Sequence, residues 1–316
     1  MSGTRVTFEK WEGLGNDFVV VEADAATWSD ERVRAVCDRR FGVGADGVLF
    51  VSRGAAGAGA RRAGATPLPD AGRTPLPDAA RTPLPDAALP RMVVRNADGS
   101  RPEMCGNGIR CVAGYLRERA QRVAIRFDEG AEGLPIAAGV IEIATDAGPK
   151  RCEVTGAEGA FDVSVAMGPA RVEGELTVAI DGRAHAFVKG DVGNPHAITF
   201  EAYDEAAIDR VGPRVATAPE GGTNVEFCTV VKGEDGRPSR VDVIVWERGV
   251  GRTLACGTGA CAVASAACAA GSFAYGAPVR VRLPGGELVV TVERGSWEAT
   301  MRGPARRVFT GELEIH

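Results

Sequence analysis

The chain has 316 residues, enough for one large domain or two of ordinary size, and its 45% hydrophobic content suffices for a packed core. Lys and Arg total 37 against 42 Asp and Glu, a formal charge of -5 with no basic stripe. That balance excludes nucleic acid and anionic membrane surfaces as expected partners and points to a small soluble one. The N-terminal M-S-G-T-R-V-T-F-E-K lacks an apolar signal region, and no stretch approaches the roughly 18 apolar residues of a membrane span, so a cytoplasmic protein with eight reduced cysteines is expected.

Val6 to Trp11 and Phe18 to Glu22 read as strands flanking the turn E-G-L-G-N-D. Ser29 can cap a helix through Arg39, with Asp30 and Glu31 in its first turn and Gly42 at its exit. A Gly-rich turn, 42 to 47, leads into the strand Val48 to Val51. Residues 54–90 break the pattern with three copies of an eight-residue unit, T-P-L-P-D-A-[GA]-[RL]. Paired prolines cannot continue a helix or a central strand, and one leucine per unit offers little apolar area to offset ordering, so a mobile, partly polyproline-II surface loop is expected. The alternative, a Pro-motif docking segment, is disfavoured because no aromatic anchor accompanies the prolines.

Met92 to Arg95 resumes the sheet, and N-A-D-G-S turns toward M-C-G-N-G-I-R-C. A helix from there to about Arg119 places Ile109, Val112, Ala113 and Leu116 on one buried face. Val123 to Phe127, Val140 to Ala144 and Phe161 to Val165 alternate as half-buried strands. Further on come G-N-P-H-A-I (193 to 198), a helix capped by Asp204, and strands at Asn224 to Val231 and Val241 to Trp246. The helix Thr258 to Ala270 is Ala, Cys and Val on nearly every side, with Ser265 its one hydroxyl past the first turn, so it should be wrapped by sheet. A hairpin through P-G-G-E and a last strand, Val308 to Ile315, complete the chain.

The order Gly-Asn turn, strands, buried Cys-led helix occurs twice. It predicts an α+β (α/β two-domain) fold of two pseudo-symmetric halves, each a curved, mostly antiparallel sheet or barrel around a central helix. The division is placed near Gly148 and Pro149, giving 1–149 and 150–302, with the final strand, 303–316, able to return to the first half.

Cys105 and Cys256 each stand directly before a Gly-x-Gly helix start, and Asn96 and Glu247 precede their cysteines by the same nine positions. Unpaired N–H groups at a helix start favour anions. Moving a thiol from near 8.5 to about 7 takes roughly 2 kcal/mol, within the upper range of such an effect. Two facing thiols resist ionising together, so the stable pair is one thiolate and one thiol. A base and an acid on opposite sides of a carbon suit racemisation or epimerisation. The other six cysteines, Cys37, Cys111, Cys152, Cys228, Cys261 and Cys268, read as small packed hydrophobes, and the intervals fit no zinc pattern.

G-L-G-N-D-F (13 to 18), N-A-D-G-S (96 to 100), M-C-G-N-G-I-R-C (104 to 111), G-N-P-H (193 to 196), T-N-V-E-F (223 to 227), W-E-R-G-V-G (246 to 251) and A-C-G-T-G-A-C-A (255 to 262) resemble the diaminopimelate epimerase family, in order and over nearly the whole chain. The resemblance implies a homodimer of that fold with the active site in the cleft between the halves. It implies cofactor-independent conversion of LL-diaminopimelate to the meso isomer, in lysine and peptidoglycan-precursor synthesis. Carried over by position, Cys105 and Cys256 are the base and acid. Gly106, Asn107, Gly257 and Thr258 hold the reacting carboxylate, and Asn16, Asn96, Asn194, Asn224, Glu247 and Arg248 bind the rest of the substrate. Arg248 can pair with a carboxylate and Glu247 with an ammonium. His196 is expected to be a packed or supporting residue.

Three positions depart from the family pattern: Gly47 stands where many members carry glutamine, and Arg101 and Arg252 stand where acidic residues are common. Both arginines are expected to face solvent. The nearest rival is a proline racemase or hydroxyproline epimerase on the same fold. Those enzymes usually carry histidine two residues after the first cysteine, where this chain has Asn107, and need no counterpart of Arg248.

Overall fold

A computed structural model describes residues 4–52, 89–126 and 139–315. Residues 53–88, with all but the last residue of the Pro-rich repeat, and residues 127–138 lie outside the described residues. The first part of the chain forms β1 (Thr4–Gly13), β2 (Asn16–Val21), α1 (Asp30–Cys37), β3 (Gly47–Ser52), β4 (Arg91–Asn96), α2 (Gly106–Arg126), β5 (Val140–Thr145), β6 (Gly148–Ala157) and β7 (Ala160–Pro169). The second part forms β8 (Arg171–Ile180), β9 (Arg183–Asp191), β10 (Pro195–Thr199), α3 (Glu205–Ala216), β11 (Asn224–Lys232), β12 (Pro238–Glu247), β13 (Gly251–Thr253), α4 (Gly257–Ala269), β14 (Val279–Leu283) and β15 (Gly286–Val292). The 18-residue β16 (Glu298–Ile315) ends the fold.

Strands β1 to β7 pair in chain order, and β16 closes the ring by pairing with both β7 and β1. Helix α2 lies inside that ring and touches all eight of its strands. The second sheet runs β16-β15-β14-β12-β11-β10-β9-β8 around α4, so β16 belongs to both sheets. Most pairings are antiparallel; β2–β3, β4–β5, β10–β11 and β12–β14 are parallel. The division expected at Gly148 falls in the turn of a hairpin, where β6 pairs with β5 and then with β7.

Helix α4 is buried nearly throughout because Ala, Cys and Val present no large or charged side chain, and Ser265 donates its hydroxyl to the Ala170 carbonyl. Helix α2 departs from expectation in two ways. It is buried on every side from Gly106 to Leu116, since the barrel closes completely around it. It also runs to Arg126, so the stretch expected as a strand from Val123 is its last turn. Gly114 makes the close fit possible: a Cβ there would meet the Trp11 ring at 2.9 Å. Ser29 and Asp204 cap α1 and α3 as expected. Helix α1 stops at Cys37, and Arg39 binds Asp17 and Asp46 instead.

One apolar core runs through both sheets and both central helices. Smaller clusters sit under α1, around Trp28 and Phe50, and under α3, around Ile208 and Phe227.

Candidate active site

The starts of α2 and α4 meet. A Cβ on Gly106 would lie 3.1 Å from the Cα of Gly257, and a Cβ on Gly257 equally close to Gly106, so only glycine permits this approach. The two helix starts are built alike. Gly108 N–H donates to Cys105 Sγ at 3.3 Å and Gly259 N–H to Cys256 Sγ at 3.3 Å, so each thiol caps its own helix. Ile109 N–H donates to the Cys105 carbonyl at 2.9 Å and Ala260 N–H to the Cys256 carbonyl at 3.0 Å. Cys105 is half-buried and Cys256 is buried.

Asn107 ties the two starts together. Its amide donates to the Ala255 carbonyl at 3.1 Å and to Asn16 Oδ1 at 3.1 Å, while its oxygen accepts from Arg110 at 2.9 Å. The side chain is thus engaged at both ends, and its main-chain N–H is the group it can offer a ligand. Asn16 follows a tight turn in which Leu14 and Gly15 both take positive φ, 58° and 77°, and it donates to Asp46 at 2.7 Å.

On the other side, Cys256 Sγ lies 3.5 Å from Thr258 Oγ1, which accepts from Asn194 at 3.3 Å. Asn194 Oδ1 meets His196 Nε2 at 3.1 Å, and His196 Nδ1 meets Glu226 Oε1 at 2.7 Å, with both of those side chains 0% exposed. Glu226 Oε2 has no hydrogen-bond partner among the described residues. Asn224 accepts from the Arg248 backbone N–H at 3.0 Å, and the Arg248 guanidinium reaches the Gly221 carbonyl. Glu247 accepts from Thr253 at 2.7 Å. Asn96 ends β4 opposite Gly47 and donates to Ser100 at 2.9 Å.

The electrostatics differ from the simple helix-start argument. Burial pushes both thiols above their ordinary value, and the Glu247 carboxylate adds to the rise at each. At Cys105 the Gly108 and Asn107 N–H groups and the Arg110 charge pull the other way. At Cys256 the Glu226 carboxylate adds to the rise, and only the Thr258 hydroxyl and Gly259 N–H oppose it. Burial also raises the Glu247 carboxyl, against the Thr253 hydrogen bond, and Glu226 raises it further. Desolvation outweighs the helix N–H groups in the ligand-free pocket.

Arg101 pairs with Asp146, and Arg252 with Glu205 and Asp209, both on the exposed surface as expected. At Gly47 a Cβ would meet the Arg95 carbonyl at 2.6 Å, so no side chain fits. The other six cysteines are all free and buried. Sequence reasoning assigned no site role to Arg110, Glu226 or Asp46. A large open groove of about 1430 Å³, lined by Lys10, Asp17, Arg39, Phe161 and Phe309 among others, reaches neither thiol.

Two thiol-headed helices meeting start to start inside paired sheets give a fold that solved racemase and epimerase structures share. The solved structures of a probable proline racemase from Agrobacterium radiobacter (TM-score 0.64, 14% identity, 98% of this chain and 93% of that one) and a hydroxyproline epimerase from Agrobacterium vitis (TM-score 0.61, 13% identity, 98% and 93%) share the fold. The sequence is more specific. The diaminopimelate epimerase family pattern matches residues 187–308. The diaminopimelate epimerase of Desulforudis audaxviator is 38% identical over 96% of this chain and 98% of its own, and that of Mycolicibacterium smegmatis 39% over 98% and 97%. This chain belongs to the diaminopimelate epimerase family.

Proposed function

We propose that the chain interconverts LL- and meso-2,6-diaminopimelate without a cofactor, with Cys105 and Cys256 as a thiolate base and a thiol acid. The observation that carries this is the face-to-face approach of Gly106 and Gly257, with each thiol held on its own helix start. The reacting carboxylate sits on the remaining N–H groups around Gly106, Asn107, Gly257 and Thr258. One sulfur takes the α-proton, the electron pair left on carbon spreads into the carboxylate, and the opposite thiol delivers its proton to the other face. One thiol has then gained a proton and the other lost one, so the roles are exchanged for the return reaction.

Both thiols stand above their ordinary value, and the Glu247 charge is part of the cause at each. A substrate ammonium placed against Glu247 neutralises that charge, so binding itself favours the thiolate. Asn16, Asn96, Asn194, Asn224 and Arg248 hold the end of the substrate that does not react, with Arg248 leaving the Gly221 carbonyl for a carboxylate. The two halves are taken as 1–149 with 303–316 and 150–302, enclosing the site between them. By the same motif resemblance we take the enzyme to be a cytoplasmic homodimer serving lysine and peptidoglycan-precursor synthesis.

The test is reaction of the reduced protein with LL-diaminopimelate in D2O without added cofactor. Deuterium should enter one α-carbon as it inverts. Exchange into proline with none into diaminopimelate would replace this reading with that of the rival enzymes.

A further inference from the structure

Arg110 is 0% exposed, yet among the described residues it makes no ion pair. Its guanidinium is held by oxygens alone: Nε donates to the Pro304 carbonyl at 3.1 Å, Nη1 to the Gly106 carbonyl at 3.2 Å and Nη2 to Asn107 Oδ1 at 2.9 Å. Met301 Sδ lies 3.8 Å from Nη1. Gly13 and Gly303 make room for it, since a Cβ on Gly13 would fall 3.1 Å from Nη2 and one on Gly303 3.5 Å from Nε. The pocket is therefore shaped to a guanidinium; burial lowers its pKa, and an arginine starts high enough to keep its charge.

A buried cation is costly unless an anion answers it. The charged and titratable groups facing Arg110 are Cys111 on its own helix, Cys105 at the head of that helix, Cys261 on α4 and Glu12 on β1. Glu12 is already bonded to Arg306 at 2.8 Å. Burial pushes Cys111 and Cys261 far up, with Lys150 also facing Cys261. Burial raises Cys105 too, but it alone of these three thiols is half-buried and stands one residue before a carbonyl that Arg110 holds. Around Cys105 the charges are Glu247 and Arg110; around Cys256 they are Glu247 and Glu226, the latter against His196. One thiol faces a carboxylate and a guanidinium, the other two carboxylates.

We propose that Arg110 is a positioning residue whose buried charge makes Cys105, and not Cys256, the thiol of the pair that ionises first. The inference rests on the reading of these two cysteines as the acid–base pair. When the pair ionises, its base stands on the α2 side and its acid on the α4 side. Arg110 does this without touching substrate, through the Gly106 carbonyl and Asn107.

The experiment is the pH dependence of iodoacetamide alkylation of each cysteine in the reduced, ligand-free protein, read by peptide mass mapping at low conversion. Access scales each rate but leaves its pH midpoint unchanged, so the midpoints report ionisation. Cys105 should have the lower midpoint. In Arg110→Met it should rise by about one unit or more, about tenfold less thiolate at a given pH, while Cys256 moves less. Arg110→Lys, which keeps the charge and loses the fork, should hold the wild-type midpoint. A lower midpoint at Cys256, an unmoved Cys105 in Arg110→Met, or a shift in Arg110→Lys as large as in Arg110→Met would each overturn the proposal. Should Arg110→Met not fold, Arg110→Gln takes its place and should raise the Cys105 midpoint in the same way. Turnover on diaminopimelate is measured separately, so ordered midpoints in a protein inactive on that substrate would sink the functional reading and leave Arg110's role standing.

Discussion

Helices α2 and α4 begin with the same device and are otherwise unlike. Each puts a thiol on the N–H of its first turn, and their glycines touch. Helix α4 achieves its burial with small side chains; α2 does so with larger ones and with an arginine sealed in the barrel. The backbone is thus symmetric about the pair while the charges are not, with Arg110 on one side and Glu226 on the other. A duplicated scaffold supplies two chemically equivalent sulfurs, and their neighbours can then make them inequivalent. The proton exchange proposed above draws on the first property, and the second decides which sulfur ionises first.

The harshest way to break the comparison is to remove one sulfur. Cys105→Ala and Cys256→Ala should each lower inversion by at least about a thousandfold, the upper part of what acid–base groups contribute, with the circular dichroism spectrum unchanged. Full activity in either variant would end the two-thiol reading. Next in size is Gly106→Ala, which puts a methyl 3.1 Å from the Gly257 backbone and forces the helix starts apart. Such overpacking costs about 1–3 kcal/mol in stability, and the displaced thiols should lose about a hundredfold in kcat. Thermal unfolding and steady-state kinetics separate the two effects, and wild-type kcat would show that the contact is incidental.

Glu247→Gln sharpens the comparison by removing the one charge both thiols share. The carboxylate raises both, so its loss should lower both alkylation midpoints together. The same change removes the partner of a substrate ammonium, and KM should rise by about tenfold. Midpoints that stay put, or a KM that does not move, would remove Glu247 from the pair's electrostatics or from binding respectively.

Much of this was legible along the chain because its signals are local. The caps Ser29 and Asp204, the P-G-G-E hairpin and the uniformly small side chains of α4 each act within a few residues. Strands β8 and β6 escaped notice because few of their residues are buried; in β6 only Cys152 and Val154 carry the apolar signal. Val123 onward alternates like a strand and is helical, since continuing α2 leaves no hydrogen bonds to remake. Arg110 sits on what reads as the polar face of an amphipathic helix. Its burial depends on β16, the last strand of the chain, closing the barrel over it, and nothing near position 110 carries that information. Glu226 reads as one polar residue in an alternating strand, and its partner His196 comes from the neighbouring parallel strand.

The last effect concerns the contrast between the proposed reactive pair and the packed thiols. Burial pushes Cys37 up to about 11 and Cys152 and Cys261 up to about 12, from an ordinary 9.0. Their folded values lie above the unfolded one, so the folded protein keeps these protons over a range where the unfolded chain releases them. The stability they contribute is present below 9.0 and is lost as pH rises toward 11 to 12. The loss should be about 1.4 kcal/mol per thiol for each pH unit above that ordinary value. Urea unfolding at a series of alkaline pH values measures it, and replacing Cys152 by Ala tests the attribution. The Ala variant should start less stable and fall less steeply, because one of the ionising thiols is gone from the unfolded chain. An unchanged slope would mean that tyrosines or lysines, not the packed cysteines, govern alkaline unfolding.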